Sequence, residues 1–113
     1  MELKDIFNKE SINRRAKEEW DYKSSNGRIR CGHKYNHIFD KTKVRLSDWS
    51  EIFENLTKQQ QNVIIKGELI RTYDALSNKD KSIIKSTFGL STFSSKWFKL
   101  PSEDKKKLLK FVI

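Results

Sequence analysis

With 113 residues, 35% of them apolar and 13 aromatic, the chain is sized for one domain with a small core, and it does not read as disordered. A lone cysteine, Cys31, excludes an intrachain disulfide and points to a reducing compartment, while the longest aliphatic run, Val63-Ile64-Ile65, is far too short to span a bilayer. The net charge of +9 is uneven: residues 1–21, 22–46, 47–78 and 79–113 carry −1, +6, −2 and +6, so two short stretches hold more than the whole surplus.

Residues 3–20 read as a helix with an apolar stripe of Leu3, Ile6, Phe7, Ala16 and Trp20. The opening Met1–Phe7 lacks the basic-then-apolar layout of a secretory signal, so a cytoplasmic protein is expected. Asn26-Gly27 is the preferred pair for a two-residue type I′ turn. It predicts a hairpin joining Trp20–Ser25 to Arg28–Gly32, with further short strands at Tyr35–Phe39 and Thr42–Leu46. Alternation along the second strand would put Arg28 and Arg30 on one face, opposite Ile29 and Cys31.

From there the pattern turns helical. Ser47 can cap a helix to about Asn55, and Thr57 a longer one to about Leu76, where Ile65, Leu69, Tyr73 and Leu76 recur at helical spacing. Asn78 would cap Lys79–Phe88, with Gly89 closing it. Another short helix is expected from Ser91 or Thr92 to Lys99. Pro101 breaks it, and Ser102 leads into a last helix burying Leu108, Leu109 and Val112. The fold class expected is α+β: a single domain over 1–113, with an N-terminal helix (1–20), a basic antiparallel β element (20–46) and a helical remainder (47–113).

Basic stretches attract polyanions because neutralising phosphates releases condensed counterions. Residues 22–46 interleave Lys23, Arg28, Arg30, Lys34, Lys41, Lys43 and Arg45 with Tyr22, Tyr35 and Phe39, the composition of a surface for single-stranded nucleic acid. Arg28, Arg30, Lys34 and Arg45, with Lys23 and Lys43 beside them, are the candidate phosphate contacts, and Tyr22 and Tyr35 the candidate stackers. Phe39 is assigned to packing the sheet on the helices.

Cys31, His33 and His37 are the only Cys and His residues and lie within seven positions, so they are the candidate zinc ligands, with Asp40 as a fourth. A structural zinc site normally has two separated ligand pairs. The second pair is missing, so no metal and no cofactor is expected. His33 or His37 with Lys34 and Arg30 would be the residues of a metal-independent ribonuclease, but no phosphate-cradling Gly loop or nucleophile elbow accompanies them, and the chain is read as non-enzymatic.

Residues 79–100 resemble a helix-turn-helix, with Ile84 and Phe88 before Gly89-Leu90 and Phe98 nine residues after the Gly. Lys85 and Ser95 depart from that pattern, standing where a small and an aliphatic residue belong, and a plain helical hairpin is the competing reading. Lys105-Lys106-Lys107 and Lys110 are assigned to the wet face of the last helix. The abundance of Lys, Ile and Asn and the scarcity of Ala and Pro fit an A/T-rich genome, whether of a bacterium, a phage or a large virus. In size, basicity and this bias the chain is similar, in kind, to small phage accessory proteins, including anti-CRISPR and host-takeover proteins.

The function expected is non-catalytic binding of nucleic acid or a nucleoprotein complex. The alternatives are an inhibitor that blocks a host enzyme's nucleic-acid channel or acidic surface, and a small nuclease. No membrane partner is expected.

Overall fold

The computed structural model describes residues 2–25 and 52–113. The chain opens with a single turn, α1 (Leu3–Ile6), and a longer helix, α2 (Lys9–Ser25). Asn8 separates the two. Its side-chain amide donates to the Lys4 carbonyl at 2.6 Å, and its Oδ1 accepts the Ser11 N–H at 2.8 Å, capping α2. The expected continuous helix over 3–20 is therefore broken at Phe7-Asn8. Phe7 is buried at the break, stacked on Phe111 (5.8 Å between centroids) and edge-on to Phe88 (6.0 Å).

The hairpin expectation fails at its first strand, and with it the α+β class. Trp20–Ser25 is the last part of α2, and no strand occurs among the described residues. Ile12, Ala16 and Trp20 recur every four residues, and all three are buried. Spaced by four, they share one face of the helix that runs on through Trp20. Continuing it also brings Asp21 to the Phe53 N–H, which its Oδ1 accepts at 2.8 Å. The helical period thus prevailed over the strand expected at Trp20–Ser25. Asn26-Gly27, the second strand and the later strands lie outside the described residues.

Residues 47–51 of the expected Ser47–Asn55 helix also lie outside them, and Phe53–Asn55 form a 3-10 turn. The next helix, α3 (Lys58–Ala75), begins as expected at Thr57, with a full capping box: the Gln60 N–H donates to Thr57 Oγ1, and the Thr57 N–H to Gln60 Oε1. Around its axis α3 buries Ile64, Ile65, Leu69, Thr72 and Tyr73, and even Glu68, so it is a covered central helix rather than an amphipathic surface one. It packs chiefly on α2.

Helix α4 (Asn78–Phe88) is capped by Ser77, one residue earlier than expected, and Gly89 ends it in the left-handed region at φ 64°. The Leu90 N–H reaches the Lys85 carbonyl at 2.9 Å, closing the helix end. The expected helix over 91–99 does not form, apart from a 3-10 turn at Trp97–Lys99. Distant side chains occupy its backbone groups instead. Asp104 accepts the N–H groups of Ser91 (3.0 Å) and Thr92 (3.3 Å), and Asp74 accepts that of Trp97 (2.8 Å). Tyr73 Oη donates to the Ser94 carbonyl, and the buried Lys81 ammonium to that of Ser95. A backbone satisfied in this way gains nothing from helical bonds.

Helix α5 (Ser102–Val112) follows Pro101, burying Leu108 and Val112 and half-burying Leu109. Helices α2, α3 and α5 pack pairwise, and Asn13 of α2 donates to the Val112 carbonyl. One hydrophobic cluster runs from Phe7 to Val112. Among the described residues, no helix is long and apolar enough to cross a membrane.

Candidate functional site

Of the residues expected to bind phosphate or bases, two fall within the described part. Tyr22 and Lys23 sit in the last turn of α2, in a helix rather than a strand, and Tyr22 is 55% exposed. Arg28, Arg30, Lys34, Tyr35, Lys43 and Arg45 lie outside the described residues, as do Cys31, His33 and His37. Among the described residues, no group of three or more His, Cys, Asp or Glu side chains is placed to hold a metal ion.

The described cations divide into two kinds. Arg14, Arg15 and Lys17 of α2 and Arg71 of α3 meet carboxylates, while Lys9, Lys58 and Lys66 have none within 4.0 Å among the described residues. Arg15 lies 3.5 Å from the buried Glu68, and Arg71 pairs with Glu19 and, at 3.6 Å, with Glu68. Lys17 reaches Glu54 at 3.0 Å and Asp21 at 3.8 Å, and Arg14 reaches Glu18 at 4.0 Å. The hydrogen bond and charge of Glu54 raise the Lys17 pKa above its ordinary value.

Residues 79–113 are arranged differently. Of their nine lysines, Lys106 alone has a carboxylate within 4.0 Å among the described residues, Glu103 at 3.6 Å. Lys81 is spent inside the fold: it is 4% exposed, donates to the Asp74 and Ser95 carbonyls, and lies over the Tyr73 ring. Burial, with the charges of Asp74 and Asp104 behind it, pushes the Tyr73 phenol up. Asp104, one of only three acids in the stretch, is also withdrawn from the surface. Burial works against its charge, but the hydrogen bonds from Ser91 and Thr92, helped by Lys107, outweigh this and hold the carboxyl below its usual range. What remains outside is a surplus of ammonium groups, with Lys79, Lys96, Lys99 and Lys110 all exposed.

Two of these lysines, Lys96 and Lys99, flank an exposed ring along the chain. Phe98 is 69% exposed, on the 3-10 turn between Lys96 and Lys99. Lys99 Nζ stands 5.9 Å from its centroid, and Lys105 of α5 donates to its carbonyl at 3.4 Å. The neighbouring lysines of the triple run point elsewhere, Lys106 to Glu103 and Lys107 to the Gly89 carbonyl. The helix-turn-helix resemblance therefore stops at Gly89: Ile84 is buried as that motif requires, but Phe98 faces solvent and no second helix precedes it. Sequence reasoning missed Phe98 as a surface residue. The signal was Lys96-Trp97-Phe98-Lys99, two adjacent rings between lysines, of which a one-sided turn can bury only one.

A groove of about 500 Å³ opens elsewhere, between α1, α4 and the end of α5, walled by Leu3, Phe7, Ile83, Ile84, Phe88 and Phe111. No family model, curated protein or solved structure matches the chain.

Proposed function

We propose that the protein is a non-catalytic binder of nucleic acid or of a nucleoprotein complex, and that its C-terminal lysine-rich surface is a principal contact. The observation that carries this reading is the contrast in pairing. Four cations of α2 and α3, Arg14, Arg15, Lys17 and Arg71, are compensated by carboxylates, whereas of the nine lysines in residues 79–113 only Lys106 has one among the described residues. Uncompensated lysines are the ones free to exchange counterions for phosphates. The second basic stretch, with Arg28, Arg30, Lys34 and Arg45, supplies further phosphate contacts in this reading.

The test compares two double reversals by gel shift at two salt concentrations, Lys96→Glu with Lys99→Glu against Arg28→Glu with Arg30→Glu. Each lost phosphate contact should flatten the salt slope by about 0.9 on duplex or about 0.7 on a single strand. If wild type binds no nucleic acid at low salt, the reading is wrong. A second reading, an inhibitor directed at a host protein, draws on the apolar groove beside Phe7 and Phe88. It is favoured if Ile83→Glu, which places a charge on the half-exposed rim, abolishes capture of a protein partner that survives nuclease treatment.

A further inference from the structure

Resting on the nucleic-acid reading, we infer that Phe98 is a stacking platform for an unpaired base, so that the preferred ligand is single-stranded. The ring is the most exposed large apolar side chain among the described residues, yet it stands on a firmly held turn. Its neighbour Trp97 is 5% exposed, lies edge-on to Tyr73 at 5.9 Å and 73°, and gives its N–H to Asp74. On the other side, Leu100 is buried and its N–H returns to the Trp97 carbonyl at 3.0 Å. Lys105 ties down the Phe98 carbonyl itself. Anchors on both sides present the ring to solvent on a fixed base, so little ordering is needed when a planar group settles on it.

Charge selects the kind of planar group. Lys99 Nζ lies over the ring, Lys105 Nζ stands at the Phe98 carbonyl, and the exposed Lys96 is two residues away at the start of the same turn. A cationic ligand is repelled there, while a planar ligand that carries its own negative charge is doubly favoured. A nucleotide has that combination: its base covers the ring and its phosphate meets the ammonium groups. In a duplex, base faces are already stacked on each other, and the groove edges offer hydrogen-bonding groups that a phenyl ring cannot answer. An exposed phenylalanine among lysines therefore discriminates for strands whose bases are free.

The test uses fluorescence polarisation of labelled twelve-residue oligo-dT and oligo-rU and of a twelve-pair duplex, with the full chain as wild type, Phe98→Ala, Phe98→Trp and Lys99→Gln. Wild type should prefer the single strands. Phe98→Ala should weaken them by about 5- to 100-fold with an unchanged salt slope and an unchanged melting temperature, and Phe98→Trp should restore them. Lys99→Gln should instead flatten the slope by about 0.7. Dependence on Phe98 with one of the two oligomers alone identifies the strand as DNA or RNA. If Phe98→Ala binds like wild type, or if duplex binds as tightly as the single strands, the stacking inference fails while the nucleic-acid reading stands. If wild type binds none of the three at low salt, both fail.

Discussion

The α2–α3 face and the segment from Gly89 to Lys107 use charge in opposite ways. In the first, Arg15, Lys17 and Arg71 face Glu68, Glu54 and Glu19, so charge joins helices that are distant in sequence. In the second, buried Asp104 and Lys81 and half-buried Asp74 bond to backbone, and the Lys96 and Lys99 ammonium groups make no hydrogen bond or ion pair among the described residues. Surface charge that is not needed for folding is available for binding. The number of lysines matters less than which of them already have an obligation.

The comparison breaks most visibly at Asp104. Asp104→Ala should cost about 3 kcal/mol by urea denaturation, because it strands the Ser91 and Thr92 donors. Its folded pKa lies below the ordinary 3.8, so its contribution is complete above that value and is lost as pH falls through the lower folded one. Denaturation series in acid should therefore show part of the wild-type loss of stability below pH 3.8 missing in Asp104→Ala.

Next comes Arg15→Met, which removes guanidinium bonds to the Ile6 carbonyl and to Thr72 and leaves Glu68 one cation poorer. A loss of about 2 kcal/mol is expected in the same assay. Gly89→Ala should cost about 1 kcal/mol through its positive φ alone, since an added Cβ would meet nothing within 4 Å. The smallest effect sharpens the contrast. Lys96→Gln with Lys99→Gln should leave stability within about 0.5 kcal/mol of wild type, as expected of surface residues with no folding role. A loss there comparable to that of Arg15→Met would show that these lysines support the fold after all.

The parts of the fold legible in the sequence were those whose causes are local. Thr57 with Gln60, Gly89 at a helix end and Pro101 before α5 each act within a few residues. The hairpin and the 91–99 helix were misjudged because distant partners decided them. Trp20 is buried with Ile12 and Ala16 in a core shared with α3 and α5, and Ser91 and Thr92 are bonded by a carboxylate 13 and 12 residues further on. The site followed the same rule. A surplus of lysines could be counted, but which cations were compensated depended on pairs such as Arg15–Glu68 and Arg71–Glu19, more than fifty residues apart. Phe98 was obscured because the choice between it and Trp97 rests on Asp74, in α3.

Lys81, the buried lysine that bonds the Ser95 carbonyl of the Gly89–Lys107 segment, has a chemical consequence. An amine-directed acylating reagent meets the exposed ammonium groups of Lys96, Lys99 and Lys110 in water, but it finds Lys81 sealed between two carbonyls and a phenol ring. Brief acetylation of the native protein should therefore neutralise the outer lysines and spare this one. The segment would be left folded with the charge of its exposed lysines removed. Its shape and its charge can thus be separated by a reagent, without altering a codon.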